Sequence, residues 1–126
     1  MSITTCLLVT DDPDDHQAFS EAFSEISSNT IVLIILDSEK ALQLLMSGKY
    51  TPDYLFLDLS MHGIRINTFL KSIKNDPALR NLPTVAYGEE SAFAKVEYTD
   101  GVNFFNKEYQ YSELREFLVK YMSRFS

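Results

Sequence analysis

Short unbroken apolar runs recur along this chain, each closed by a turn and most followed by a segment whose apolar residues return every three or four positions. Cys6-Leu7-Leu8-Val9 is the first such run, and Thr10-Asp11-Asp12-Pro13 ends it. A continuous run of this length bounded by turn residues predicts a strand buried on both faces. Phe19, Ala22, Phe23 and Ile26 then fall at i, i+3, i+4 and i+7, the stripe of an amphipathic helix. Asp12 is suited to cap that helix and Pro13 to occupy its first position, where a missing N–H costs nothing. Asp14 and Asp15 favour its positive N-terminal end.

Thr30 to Leu36 is the strongest strand signal, β-branched and unpatterned, so coverage on both faces is expected. Asp37-Ser38 opens the next helix, with Ala41, Leu44 and Leu45 inward and Gly48 as its stop. Tyr54-Leu55-Phe56-Leu57 drives straight into Asp58, and Gly63 closes the segment after it. Ile66, Phe69, Leu70 and Ile73 return at helical spacing. Thr84 to Tyr87 is a short strand that runs into Gly88. A weak helix is expected from roughly Ser91 to Tyr98, then a strand over Val102 to Phe105 that ends at Asn106-Lys107. The last helix spans Tyr111 to about Arg124, with Ser112 near its cap. Leu114, Phe117, Leu118, Tyr121, Met122 and Phe125 form its stripe.

Strand and helix therefore alternate five times. That order predicts an α/β domain with a parallel sheet and helices on both faces. Right-handed crossovers favour the flavodoxin-like five-stranded sheet of order 2-1-3-4-5. At 126 residues the chain is expected to be one domain over 1–126 with no output domain. A net charge of −7 argues against nucleic acid as a partner. The apolar runs are too short for a membrane span, and the N-terminus does not read as a signal peptide. Cys6, the only cysteine, reads as a small core residue, consistent with a reducing compartment and a cytoplasmic protein.

Chemistry is expected where the strands end. In the order 2-1-3-4-5, strands one and three are neighbours, so Asp11 and Asp58 converge and Lys107 reaches in from strand five. Gathered carboxylates repel one another unless a cation shares the site, and Mg²⁺ suits one or two carboxylates plus waters. A carboxylate can also attack phosphorus, with the metal and an ammonium neutralising the incoming charge. Each residue has a plainer reading too. Asp11 and Asp12 serve as a cap and solvated charge, Asp58 as a turn residue, and Lys107 as a surface lysine.

The segments L-L-V-T-D-D-P-D-D-H, L-F-L-D-L-S-M and G-V-N-F-F-N-K resemble the signatures of response regulator receiver domains, the CheY-like family. The likeness extends over essentially the whole chain. It implies two-component signal transduction, in which a sensor histidine kinase or phosphotransfer protein donates a phosphoryl group to Asp58. It also implies that Asp11, Asp58 and the backbone carbonyl of Ser60 hold Mg²⁺, with Asp12 as auxiliary, and that Lys107 is the phosphoryl counter-ion. No ordinary enzyme activity is implied beyond the phosphoryl group's own gain and loss.

The chain departs from the family pattern at several positions. Thr10 stands where the first acid of the pair belongs. Gly88 replaces the switch Thr or Ser, although Phe104 matches its aromatic partner. His62 stands in place of a proline and Ile66 in place of a glycine, whose freedom Gly63 is placed to supply. Glu108 replaces the proline after Lys107, so a trans peptide and a displaced Lys107 are expected. The leading expectation is a stand-alone phosphoacceptor receiver acting on an unknown downstream protein. The alternative is a degenerate receiver that docks partners without phosphorylation. It would use the fourth helix, fifth strand and fifth helix, where Tyr98, Tyr109 and Tyr111 lie and where a homodimer is also conceivable. An FMN-binding electron carrier is a third class, disfavoured by four aspartates where its phosphate loop would stand.

Overall fold

The computed structural model describes residues 3–108 and 110–124, so Tyr109 and Phe125 of the expectations above lie outside it. The strands are β1 (Thr4–Val9), β2 (Thr30–Ile35), β3 (Tyr54–Asp58), β4 (Thr84–Gly88) and β5 (Val102–Asn106). The helices are α1 (Pro13–Ile26), α2 (Ser38–Met46), α3 (Ile66–Lys74), α4 (Glu90–Phe93) and α5 (Tyr111–Ser123). All strand pairs are parallel and their order is β2-β1-β3-β4-β5, as expected.

The pleat sorts the strand residues into two cores. Leu7, Val9, Leu55, Leu57 and Ala86 face α2 and α3, meeting Ala41, Leu45, Phe69, Leu70 and Ile73. Cys6, Leu8, Phe56, Val85 and Tyr87 face α1 and α5, meeting Phe19, Phe23, Leu114, Leu118 and Tyr121. Each leucine, isoleucine, valine or phenylalanine among them contributes roughly 1.5–3 kcal/mol of burial. β3 lies at the centre with all five of its residues buried. Asp58 is therefore fixed from both faces at the C-terminal edge of the sheet.

Local signals account for most of the ends. The Asp12 carboxylate accepts from the Asp14 amide at 2.9 Å, and Asp37 accepts from Glu39 and Lys40 at 2.8 and 3.2 Å. Gly63 takes φ +75°, supplying the freedom the loop after Asp58 needs.

The structure corrects the sequence reading in two elements. β2 is not covered on both faces: it is an edge strand, and Ile31 and Leu33 are exposed. α4 is a single turn over Glu90–Phe93 and does not reach Tyr98. The Asn67 side chain explains that, because it donates to the Lys95 carbonyl at 2.9 Å and accepts from the Glu97 amide at 2.7 Å. Those backbone groups are thereby satisfied by a side chain of α3 and not by a continuing helix. α5 starts at Tyr111 as expected, with Ser112 near its cap residue Gln110, and the Glu113 carboxylate accepts from the Gln110 amide at 3.1 Å.

Candidate functional site

Three strand ends and the first turn of α1 converge on Asp58. Its residue exposure is 0%, so its charge must be answered from within the protein. One oxygen, Oδ1, accepts from the Ser60 amide at 2.9 Å and the Ser60 hydroxyl at 2.7 Å. The other, Oδ2, accepts from the Thr10 hydroxyl at 2.6 Å and from Lys107 Nζ at 3.2 Å. Both oxygens are thus engaged by two donors each.

Thr10 sits at the end of β1, opposite the end of β3. Its single hydroxyl proton is best placed on Asp58, while the oxygen accepts from the Asp12 amide at 3.2 Å. His16 Nε2 lies 3.0 Å from the Thr10 carbonyl and is the donor in that pair. The residue standing where an acid was expected is therefore a donor to Asp58.

Lys107 reaches Asp58 despite the missing proline, contrary to the displacement expected. Its amide donates to the Gly88 carbonyl at 2.8 Å, extending the β4–β5 ladder one residue past β5. The Asn106 side chain then accepts from the Glu108 amide at 2.9 Å and turns the chain. No peptide bond among the described residues is cis, so the Lys107–Glu108 bond is trans as expected.

The ammonium lies 3.3 Å from Asp12 Oδ2, 3.2 Å from Asp15 Oδ2, 3.2 Å from Asp58 Oδ2 and 3.0 Å from Ser60 Oγ. Burial works against its charge, but Asp58 and Asp15 outweigh that, so Lys107 titrates well above the ordinary lysine range. Burial likewise opposes the Asp12 carboxylate, yet the Asp14 amide and Lys107 hold it below the usual value.

Asp15 and Tyr87 belong to this cluster and were not singled out from the sequence. Asp15 is buried, and Tyr87 donates its hydroxyl to Asp15 Oδ2 at 3.1 Å. Burial, then Asp15 and Asp58, push the Tyr87 phenol far above its ordinary range, so it remains a neutral donor. A signal for Asp15 was present: it stands four residues before Phe19, on the buried stripe of α1. A carboxylate on that stripe needs a partner. For Tyr87 nothing in the strand pattern separates a core aromatic from a hydrogen-bonding one.

Gly88 ends β4 where a switch hydroxyl was sought. A Cβ there would stand 3.0 Å from Leu59 Cβ, so the space is filled by the residue after Asp58. Phe104 is half-buried and packs on Phe93 with ring centroids 5.1 Å apart. Tyr98 and Tyr111 are also half-buried against the two cores and do not present free rings. His62 is an exposed loop residue.

The donors as arranged do not fit Mg²⁺. Mg²⁺ needs carboxylate oxygens free to bind it, whereas one oxygen each of Asp12, Asp15 and Asp58 closes on the Lys107 ammonium at 3.2–3.3 Å, which stands among them as the cation. Asp11, expected as the direct ligand, is exposed and lines a surface depression with Asp37, Glu39 and His62. Among the described residues no group of three His, Cys, Asp or Glu is arranged to hold a metal.

This topology and cluster define a receiver-type α/β fold. No protein-family model and no curated protein matches the sequence. Solved structures do match. The phosphorylated cyanobacterial phytochrome response regulator RcpA is 23% identical over 94% of this chain and 91% of its own, with a TM-score of 0.78. The magnesium-bound receiver domain of the sensor histidine kinase PA1611 from Pseudomonas aeruginosa is 15% identical over 97% and 99%, with a TM-score of 0.76. The chemotaxis response regulator CheY4 of Vibrio cholerae is 17% identical over 95% and 99%, with a TM-score of 0.73. The chain has the fold of response regulator receiver domains.

Proposed function

We propose that this chain is a receiver-fold signalling module that works by docking to other proteins, with Asp58 held as an internal carboxylate and not used as a phosphoacceptor. One observation carries this reading: Asp58 is fully buried with both oxygens engaged by Thr10, Lys107 and Ser60. Attack on phosphorus needs a free lone pair and a positive field at the incoming oxygens. Here the Lys107 ammonium is shared among three carboxylates, and the position that would add a metal-binding acid is a hydroxyl pointing at the nucleophile. Gly88 brings no hydroxyl to follow a phosphoryl group, and Leu59 fills the space beside it.

A second reading keeps phosphoryl acceptance. It rests on Asp58 at the C-terminal edge of β3 with Lys107 only 3.2 Å away, the acceptor and counter-ion the family resemblance implies. A histidine kinase or phosphotransfer protein would then be the donor. Magnesium is named for the PA1611 receiver and would have to draw Asp11 or Asp12 into a different arrangement here.

Incubation with acetyl phosphate and Mg²⁺, followed by intact mass measurement, separates the two. The docking reading expects an unchanged mass, and it expects Asp58→Asn to leave signalling intact. A phosphoryl adduct that Asp58→Asn abolishes would establish the second reading.

A further inference from the structure

The large apolar side chains exposed among the described residues are Ile3, Ile31, Leu33, Leu36, Met46 and Val119. Only Val119, on α5, lies away from the β2 edge of the sheet. β2 has a strand neighbour on one side alone. Its register places Ile31 opposite Thr5 and Leu33 opposite Leu7, on the face that carries α2 and α3. α2 leaves Ile31 55% and Leu33 37% exposed there, and Leu36, just beyond the strand, is 59% exposed. Met46 ends α2, which runs antiparallel to the strands, so it lies at the same end of that face as Ile31.

Edge strands are usually blunted by charge, proline or a bulge. β5, the opposite edge, carries Asn103 and Asn106 and leads into Lys107. From Thr30 to Leu36 there is no charge, no proline and no glycine. β2 is an unprotected edge with an apolar face.

We infer that β2 pairs antiparallel with β2 of a second copy about a two-fold axis, joining the two sheets. Side chains must stay on the same face across the pair. A register with Leu33 opposite Leu33 and Ile31 opposite Ile35 satisfies that and uses the whole run from Thr30 to Leu36. A net charge of −7 opposes self-association in general, and the uncharged run from Thr30 to Leu36 is where that repulsion is least. Antiparallel pairing also sets the start of one α2, with Asp37 and Glu39 against a single Lys40, towards the end of the other, where Lys49 follows. The interface is isologous and closes at two copies. It lies at the opposite edge of the sheet from the fourth helix, fifth strand and fifth helix, and it does not depend on whether Asp58 accepts a phosphoryl group.

Sedimentation velocity across a concentration range tests this. The intact chain is expected to form dimers, and Leu33→Lys to remain monomeric with an unchanged circular dichroism spectrum. Leu33→Cys places two thiols at the axis, while Cys6 is buried. Oxidation should yield a disulfide-linked dimer on a non-reducing gel, and this decides the matter if the lysine variant fails to fold. A monomer at every concentration, a dimer that neither variant affects, or open-ended association would overturn the proposal.

Discussion

Lys107 carries one positive charge against the carboxylates of Asp12, Asp15 and Asp58, and its side chain is only 23% exposed. Replacement by methionine would leave Asp58 and Asp15 buried beside each other without a cation. Breaking a buried pair in this way costs about 3–5 kcal/mol. Lys107→Met is therefore expected to melt well below the parent, and to regain stability in Mg²⁺ as the freed carboxylates take up a divalent ion. The parent is expected to be indifferent to Mg²⁺. A parent whose melting temperature rises with Mg²⁺ as much as the variant's would refute the assignment of Lys107 as the internal counter-ion. Asp12 makes a pH-dependent contribution. Its folded value is depressed, so its charge stabilises the fold above the unfolded carboxylate range, and that contribution is lost as pH falls through the folded value. Asp12→Asn keeps an oxygen for the Asp14 amide and removes only the charge. A loss of about 0.2–1 kcal/mol is expected at neutral pH, since the carboxylate is partly solvated. The gap should close in acid; a gap of constant size in urea titrations from neutral to acid pH would contradict it.

Most elements were legible because their signals are local. Asp12-Pro13 and Asp37-Ser38 start helices where they stand, and the unbroken runs at Cys6–Val9 and Tyr54–Leu57 are central strands. What was misread depends on distant partners. An apolar run such as Thr30–Leu36 looks the same whether a helix covers both its faces or the sheet ends beside it. α4 is cut short by Asn67, which lies 28 residues from Lys95 and 30 from Glu97. The centre of the site, Asp58 with Lys107, could be read from strand ends, whereas Asp15 was hidden among four aspartates and Tyr87 within an apolar strand. Asn67→Ala should release the segment after α4. Amide exchange at Glu97 is expected to rise while exchange in β4 and β5 stays slow. Unchanged protection at Glu97 would show that the clamp is not what holds it.

At the scale of the whole molecule, the chain keeps the receiver topology at 15–23% identity to the solved structures compared above, with Thr10, Gly88 and Glu108 standing around Asp58. Thr10, Asp15, Tyr87 and Lys107 tie β1, α1, β4 and the residue after β5 to the end of β3. A receiver acts as a switch when phosphorylation biases an element with two arrangements. On the proposed docking reading no such element responds: Gly88 lies against Leu59 and Phe104 packs on Phe93. The most direct measurement is a titration of the ¹⁵N-labelled protein with beryllofluoride and Mg²⁺, followed at the amides of Leu59, Ser60, Gly88 and Lys107. The expected result is no saturable shift at any of the four beyond that given by Mg²⁺ and fluoride alone. A saturable shift centred on Leu59 and Ser60, absent in Asp58→Asn, would show that the carboxylate is free to accept a phosphoryl group and would contradict the account.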